Sequence, residues 1–271
     1  MMKIETKCPA KINLYLKVLE KMNDDYHQIE TSFQYIDLYD EILFEKRKTG
    51  ISIDSNEDFL KDNQNTIYAA ANKLMSISNK NFGVHIQINK NIPIGAGLGG
   101  GSSNAASTLV ALNKLWELNL DDKDLFNIGK SIGADVPFFL FGKNAIGKGV
   151  GDQLQKTSSL DGNLIIIDPC IHNSTKKMFN LLDEWKSNNK HAALSSQNHF
   201  WNVFLETNTE IRKFYFEIDN LYNLNLSGSG SCMFLIYKEK TEADKIIKKI
   251  PSNWRFFFCK PLQYSPICYI R

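Results

Sequence analysis

Long apolar runs are missing from this 271-residue chain. The longest, such as Leu164-Ile-Ile-Ile167 and Met233-Phe-Leu-Ile-Tyr237, fall far short of the roughly 20 residues that cross a bilayer, so no membrane partner is expected. The opening Met1-Met-Lys-Ile-Glu-Thr-Lys7 lacks the apolar centre of a signal peptide, which points to the cytoplasm. Cysteine is sparse and unpatterned. Cys8, Cys170, Cys232, Cys259 and Cys268 are odd in number and show no C-x-x-C spacing, which argues against a disulfide framework or a zinc site and for free thiols. Charge of one sign does not accumulate: 32 Lys and Arg against 30 Asp and Glu leave a net +2, and no arginine-rich or aromatic-studded stripe suggests nucleic acid. Dense carboxylate clusters, internal repeats and low-complexity tracts are absent too, so no dedicated metal site is expected.

What the chain does have is glycine, concentrated in one place. Five of its sixteen glycines fall within residues 95 to 101, inside the run Pro93-Ile-Gly-Ala-Gly-Leu-Gly-Gly-Gly-Ser-Ser-Asn-Ala-Ala-Ser107. Glycine costs conformational entropy, so such density marks a backbone that must take positive φ or let a ligand approach its amides. Upstream, Val84, Ile86 and Ile88 alternate with His85, Gln87 and Asn89, the period of a strand with one buried face. Downstream, Ala105, Leu109, Leu112 and Trp116 recur at helical spacing behind Ser102 and Ser103, which suit a helix N-terminus. A glycine loop between strand and helix brings free amides and the positive end of the helix dipole to one spot, an anion site made of backbone.

Three simpler readings compete with a phosphate loop of some other kind. Gly95-Ala-Gly97-Leu-Gly99-Gly100 satisfies the dinucleotide fingerprint, and Asp121 and Asp122 lie about 20 residues on, where that fold wants a ribose acid. That acid should end a second strand, whereas Asp121 and Asp122 follow a helix and open another, with Leu125, Ile128 and Ile132 on one face. The nucleotide-triphosphatase loop fails because its lysine position, counted from Gly95, is Gly101. A flexible linker is seldom flanked so tightly by periodic apolar segments.

The loop resembles the phosphate-binding motif of the GHMP kinases, the family of galactokinase, homoserine kinase, mevalonate kinase and phosphomevalonate kinase, with its pattern P-x-x-x-G-L-G-S/G-S-S-A/N. Pro9-Ala-Lys-Ile-Asn-Leu-Tyr-Leu16 and Leu226-Ser-Gly-Ser-Gly-Ser-Cys-Met-Phe234 fit the same family, and the three segments span nearly the whole chain. Asp25-Tyr26-His27, the triple glycine Gly99 to Gly101, Gly133-Ala-Asp135-Val-Pro-Phe-Phe139 and Gly147-Lys-Gly149-Val-Gly-Asp152 resemble its cytidylyl branch. Two residues depart from that branch's pattern: Asp25 replaces a usual glycine and Asp152 a usual glutamate.

The resemblance implies an α+β, two-lobed GHMP kinase fold with a ribosomal-protein-S5-like N-terminal lobe, a ferredoxin-like C-terminal lobe and a cleft between them. The residues themselves support a boundary near the polar stretch Gln155-Lys-Thr-Ser-Ser159, giving an ATP-binding domain over 1–158 and a second domain over 159–271. Beyond it, a strand at 164–168 closed by Pro169, helices, a strand at 232–237, a helix from Thr241 stopped by Pro251 and a strand at 255–259 read as a split βαβ layer.

Implied roles follow position by position. Lys11 and Asp135 match the catalytic pair of a kinase that moves the γ-phosphoryl group of ATP to the 2-hydroxyl of a cytidylyl-methylerythritol in non-mevalonate isoprenoid precursor synthesis. Pro93, Gly95, Gly97, Leu98, Gly99, Gly100, Gly101, Ser102 and Ser103 match the nucleotide loop, and Asn65 a position near the adenine. Asn13, Tyr26, His27 and Phe179 match substrate contacts, the aromatic rings offering stacking to a pyrimidine. Mg²⁺ is expected to arrive with the ATP, without a protein metal site, and the enzyme to act as a monomer or weak homodimer. Each residue also has a plainer reading: Asp135 as a turn cap, Lys11 as a solvated charge, Asn13 as an edge-strand polar residue, Ser102, Ser103 and Asn65 as helix caps, and Phe179 as core on an amphipathic helix with Met178, Leu181, Leu182 and Trp185.

Overall fold

The computed structural model describes residues 2–22, 26–58, 65–78, 82–189, 193–195 and 197–270. Two long strands, β1 (Lys3–Lys21) and β2 (His27–Arg47), pair antiparallel along their length, with register shifts between Pro9 and Ala10 and between Asn13 and Tyr15. The strand β3 (Gly50–Ser55), the helix α1 (Thr66–Ser78) and the strand β4 (Gly83–Asn89) follow, β4 lying antiparallel to β2 and parallel to β3. Three helices come next: α2 (Gly100–Leu115), α3 (Asp122–Lys130) and α4 (Val136–Phe141). The strands β5 (Ala145–Lys148) and β6 (Gln153–Lys156) complete a six-stranded sheet of order β3-β4-β2-β5-β6 with β1 against β2.

The alternation at 84–88 does what its period demands. Val84, Ile86 and Ile88 turn inward and pack with Ile67, Leu74, Leu109 and Leu112 of α1 and α2 in one core. The helix α2 is buried almost all round, because it is held between the sheet, α1 and α4. Asp121 and Asp124 form a reciprocal capping box that starts α3, so these acids punctuate a helix and no ribose acid follows a second strand.

The second sheet is built from β7 (Asn163–Asp168), β8 (Asn225–Leu226), β9 (Met233–Tyr237) and β10 (Arg255–Cys259), in the order β10-β7-β9-β8 and antiparallel throughout. Between them run α5 (Thr175–Asn188), α6 (Trp201–Thr207), α7 (Thr209–Tyr222) and α8 (Lys240–Ile247). Fourth, first, third, second is the strand order of a ferredoxin-like layer. Both faces of β7 are covered. Ile165 and Ile167 meet the helices, while Leu164 and Ile166 meet Ile12, Ile36 and Leu98 of the first lobe in a smaller shared core. Burying each such side chain contributes about 1.5–3 kcal/mol, so this seam fixes how the lobes face one another. After β10 the chain returns to the first lobe, where Ile267 and Ile270 join its core and Lys114 Nζ donates to Ile270 O at 2.6 Å.

Candidate active site

A cleft of about 1220 Å³ opens where the two lobes meet. Its floor is set by β1. Lys11 and Asn13 stand two residues apart on one side of the strand, and Lys11 Nζ donates to Asn13 Oδ1 at 2.6 Å and to Gly97 O at 2.9 Å. Asn13 Nδ2 donates to Thr31 Oγ1 at 2.7 Å, which in turn donates to Tyr15 O at 2.6 Å. The chain of donors orients both side chains. Lys11 is 3% exposed, so its ammonium is not the solvated charge that a lysine in a strand usually is. Its third neighbour is the Asp135 carboxylate, with Oδ2 at 3.4 Å.

Asp135 occupies the N-cap position of α4, yet its side chain accepts no capping hydrogen bond. The plain reading as a turn cap therefore fails, and the carboxylate faces the cleft beside Lys11. Apolar residues of α4, Phe138 and Phe139 among them, anchor the helix in the core.

The glycine loop forms the next wall. Its carbonyls are taken by protein: Asn173 N donates to Gly95 O at 3.0 Å, Cys232 N to Ala96 O at 3.0 Å, Ser227 Oγ to Gly97 O at 3.0 Å and Lys11 N to Leu98 O at 2.9 Å. Among the described residues, no backbone N–H from Gly95 to Ser102 finds a protein acceptor. A loop with spent carbonyls and unspent amides, ahead of the 16-residue helix α2, is an anion cradle.

Two details correct the sequence reading of this loop. Ser102 and Ser103 do not open the helix: α2 begins at Gly100, behind a left-handed Gly99 (φ 70) that has no side-chain cap. Ser102 lines the cleft, whereas Ser103 is buried beneath it and its hydroxyl has no hydrogen-bond partner among the described residues. Ligand approach is also not the whole reason for the glycines. A Cβ on Gly97 would lie 2.1 Å from Ser227 O, and one on Gly99 would lie 2.9 Å from the Phe139 ring and 3.1 Å from Lys11 Cε. Protein neighbours, besides the positive φ, demand glycine at both positions.

At the other end of the cleft, β2 begins with His27 beside the exposed Tyr26. The His27 ring stacks on Phe179 of α5 with centroids 4.8 Å apart and planes 17° from parallel, and Phe179 meets Phe200 edge-on at 5.0 Å. Phe179 thus belongs both to the second lobe's core and to the cleft wall. Asn65 caps α1, accepting from Tyr68 N at 2.8 Å, and lines the cleft as well. Lys11, Asn13, Tyr26, His27, Asn65, Pro93, Gly95, Gly97, Leu98, Gly99, Gly100, Gly101, Ser102, Asp135 and Phe179 all border this one cavity, and Ser103 alone does not.

Some sequence features lie elsewhere. Lys148 pairs with Glu30 at 3.6 Å and Asp152 with Lys130 at 2.6 Å, both away from the cleft lining. Asp25 lies outside the described residues.

Other residues escaped sequence reading altogether. Asp40, fully buried, accepts from Lys90 Nζ, Asn91 N (2.8 Å), Ile92 N (2.9 Å) and Asn104 Nδ2 (2.9 Å), tying the start of the loop to α2. Asp183 on α5 accepts from His27 Nε2 at 2.7 Å. Neither carries a local signal, because each acquires meaning only from partners far along the chain.

Models of the GHMP kinase N-terminal and C-terminal domains match residues 65–143 and 182–255. The chain is 36% identical over 272 residues to the 4-diphosphocytidyl-2-C-methyl-D-erythritol kinase of Buchnera aphidicola subsp. Acyrthosiphon pisum, covering 96% of this chain and 95% of that one. It belongs to the GHMP kinases, in their 4-diphosphocytidyl-2-C-methyl-D-erythritol kinase branch. The counterpart from Marinomonas is 35% identical, covering 97% of this chain and 89% of its own. A crystal structure of a 4-(cytidine 5'-diphospho)-2C-methyl-D-erythritol kinase superposes with a TM-score of 0.79 at 27% identity, over 95% of this chain and 99% of that one. Homoserine kinase from Cytophaga hutchinsonii shares the fold, with a TM-score of 0.67 at 19% identity over 96% and 95% of the two chains.

Proposed function

We propose that this GHMP kinase transfers the γ-phosphoryl group of ATP to the 2-hydroxyl of 4-diphosphocytidyl-2-C-methyl-D-erythritol, a step in the non-mevalonate route to isoprenoid precursors. One observation carries the reading: the Lys11–Asp135 pair, at 3.4 Å, shares one cleft with the glycine loop and the His27–Phe179 stack. Triphosphate and base therefore have separate walls, and the reacting groups belong where the walls meet.

The acceptor is a tertiary alcohol, crowded and very weakly acidic, so it needs orientation and a proton acceptor. In this reading the Asp135 carboxylate accepts the hydroxyl hydrogen and takes the proton as the oxygen attacks the γ-phosphorus. The bond from that phosphorus to the β,γ-bridging oxygen breaks and ADP leaves. The Lys11 ammonium, held on Asn13 and Gly97 beside the Asp135 carboxylate, faces the charge that develops on the transferring group. The unspent loop amides and the α2 dipole bind the phosphates, which is most of what phosphoryl transfer asks of a protein.

Among the described residues no three His, Cys, Asp or Glu side chains group as a metal site. Ser102, a hydroxyl donor at the cleft, fits an ion whose other ligands are nucleotide phosphates and water. Mg²⁺ bound in that way would neutralise phosphate charge. The expectation of a cytoplasmic monomer or weak homodimer, organised as domains 1–158 and 159–271, belongs to the same proposal.

The test is phosphorus NMR of the product formed from ATP and 4-diphosphocytidyl-2-C-methyl-D-erythritol. A new monoester coupled to the 2-position beside an intact diphosphate supports the reading, and phosphate on any other oxygen rejects it.

A further inference from the structure

In the proposed function His27 and Phe179 receive the base, so the imidazole must itself be held in place. The helix α5 grips that ring twice. Phe179 lies under its face at 4.8 Å, and Asp183, one helical turn further on, accepts from its Nε2 at 2.7 Å. The second carboxylate oxygen of Asp183 lies 3.3 Å from Lys21 Nζ. His27 starts β2 and Lys21 ends β1, so Asp183 holds both strands where they emerge next to Tyr26, and it does so from the opposite lobe. His27 is buried and lines the cleft, while Asp183 stands behind it and does not.

We infer that Asp183 is the positioning residue for base recognition: it fixes the plane and the tautomer of His27 and, through Lys21, the strand ends that carry Tyr26. This rests on the proposed function, since it assumes that a cytosine ring enters here. With Nε2–H committed to the carboxylate, Nδ1 is the ring nitrogen whose lone pair is left to accept, and it has no partner among the described residues. An acceptor at that point suits the exocyclic amine of cytosine and opposes the carbonyl that uracil carries in the same place. Asp183 thereby favours cytidylyl over uridylyl substrates without touching either.

Asp183→Ala, Asp183→Glu and the wild type are compared by kcat and KM for ATP, for the cytidylyl substrate and for its uridylyl analogue. The Asp183 side chain is 32% exposed and on a helix, where alanine is well tolerated, so folding should survive; melting temperatures check this. In Asp183→Ala the expected result is a rise of about tenfold or more in KM for the cytidylyl substrate, the worth of a hydrogen bond to a charged group. KM for ATP and kcat stay within about twofold, the cytidylyl preference over uridylyl falls, and Glu restores part of both. An unchanged KM, equal rises for ATP and substrate, an unaltered cytidylyl preference or no recovery in the Glu variant overturns the inference while the kinase reading stands. A wild-type chain that does not turn over the cytidylyl substrate removes both.

Discussion

Replacing Asp135 by Asn exchanges a carboxylate for an amide of nearly the same shape at the floor of the cleft. Lys11 Nζ keeps Asn13 Oδ1 at 2.6 Å and Gly97 O at 2.9 Å, so its buried charge retains two acceptors. Asp135 is 31% exposed and caps nothing, so the lost ion pair should cost at most about 1 kcal/mol of stability. Nucleotide binding should not weaken either. A carboxylate about 4 Å from a phosphate oxygen repels it by about 1 to 4 kcal/mol, depending on how wet the cleft is, and the amide relieves that repulsion. Turnover is the quantity that must fall, by about 10² to 10⁴, the usual worth of a positioned general base, or roughly 2.7 to 5.4 kcal/mol in the barrier. The assay is ADP release at saturating ATP and substrate, with nucleotide affinity measured by calorimetry on the same preparation. A kcat within fivefold of wild type would take Asp135 out of the chemistry. Loss of ATP binding together with turnover would make it a binding residue.

Gly97→Ala should lower the melting temperature sharply, since a left-handed alanine costs about 1–2 kcal/mol and its Cβ would press on Ser227 O at 2.1 Å; a stable variant would show that the loop moves freely from the second lobe. Asp40→Asn, which leaves the Lys90 ammonium buried without its counter-charge, should cost about 3–5 kcal/mol in urea unfolding, and a loss below 1 kcal/mol would show that the brace is unimportant. Burial raises the Cys8 thiol from 9.0 to about 12, so the fold prefers it protonated: this stabilisation is complete below about pH 9 and is lost as pH climbs towards 12. Between pH 8 and pH 11 the melting temperature of Cys8→Ala should therefore fall less than that of the wild type, and parallel curves would argue against it.

The parts of this molecule that were readable in advance are those specified by neighbours in sequence. Period two at 84–88, helical spacing from Ala105 to Trp116 and glycine density at 95–101 each describe a local conformation, and the strand, loop and helix follow from them. The split βαβ layer was readable for the same reason, through its Pro169 and Pro251 boundaries. Other features depend on partners distant in the chain. That Gly97 must be glycine is decided by Ser227, and that Phe179 faces the cleft is decided by His27, 152 positions earlier in the numbering. Asp40 and Asp183 look like ordinary acids until β4 and β2 are laid beside them. Ser102 and Ser103 resemble a cap and so put the helix start two residues late, whereas a left-handed Gly99 performs that task with backbone alone.

The most direct measurement is kcat/KM for ATP-dependent phosphorylation of three alcohols offered to the same enzyme: 4-diphosphocytidyl-2-C-methyl-D-erythritol, mevalonate and homoserine. The His27–Phe179 wall and the Lys11–Asp135 pair in one cleft predict turnover of the first at least 10³-fold above the other two, because only it carries a base to fill that wall. Comparable or faster phosphorylation of mevalonate or homoserine would contradict the account.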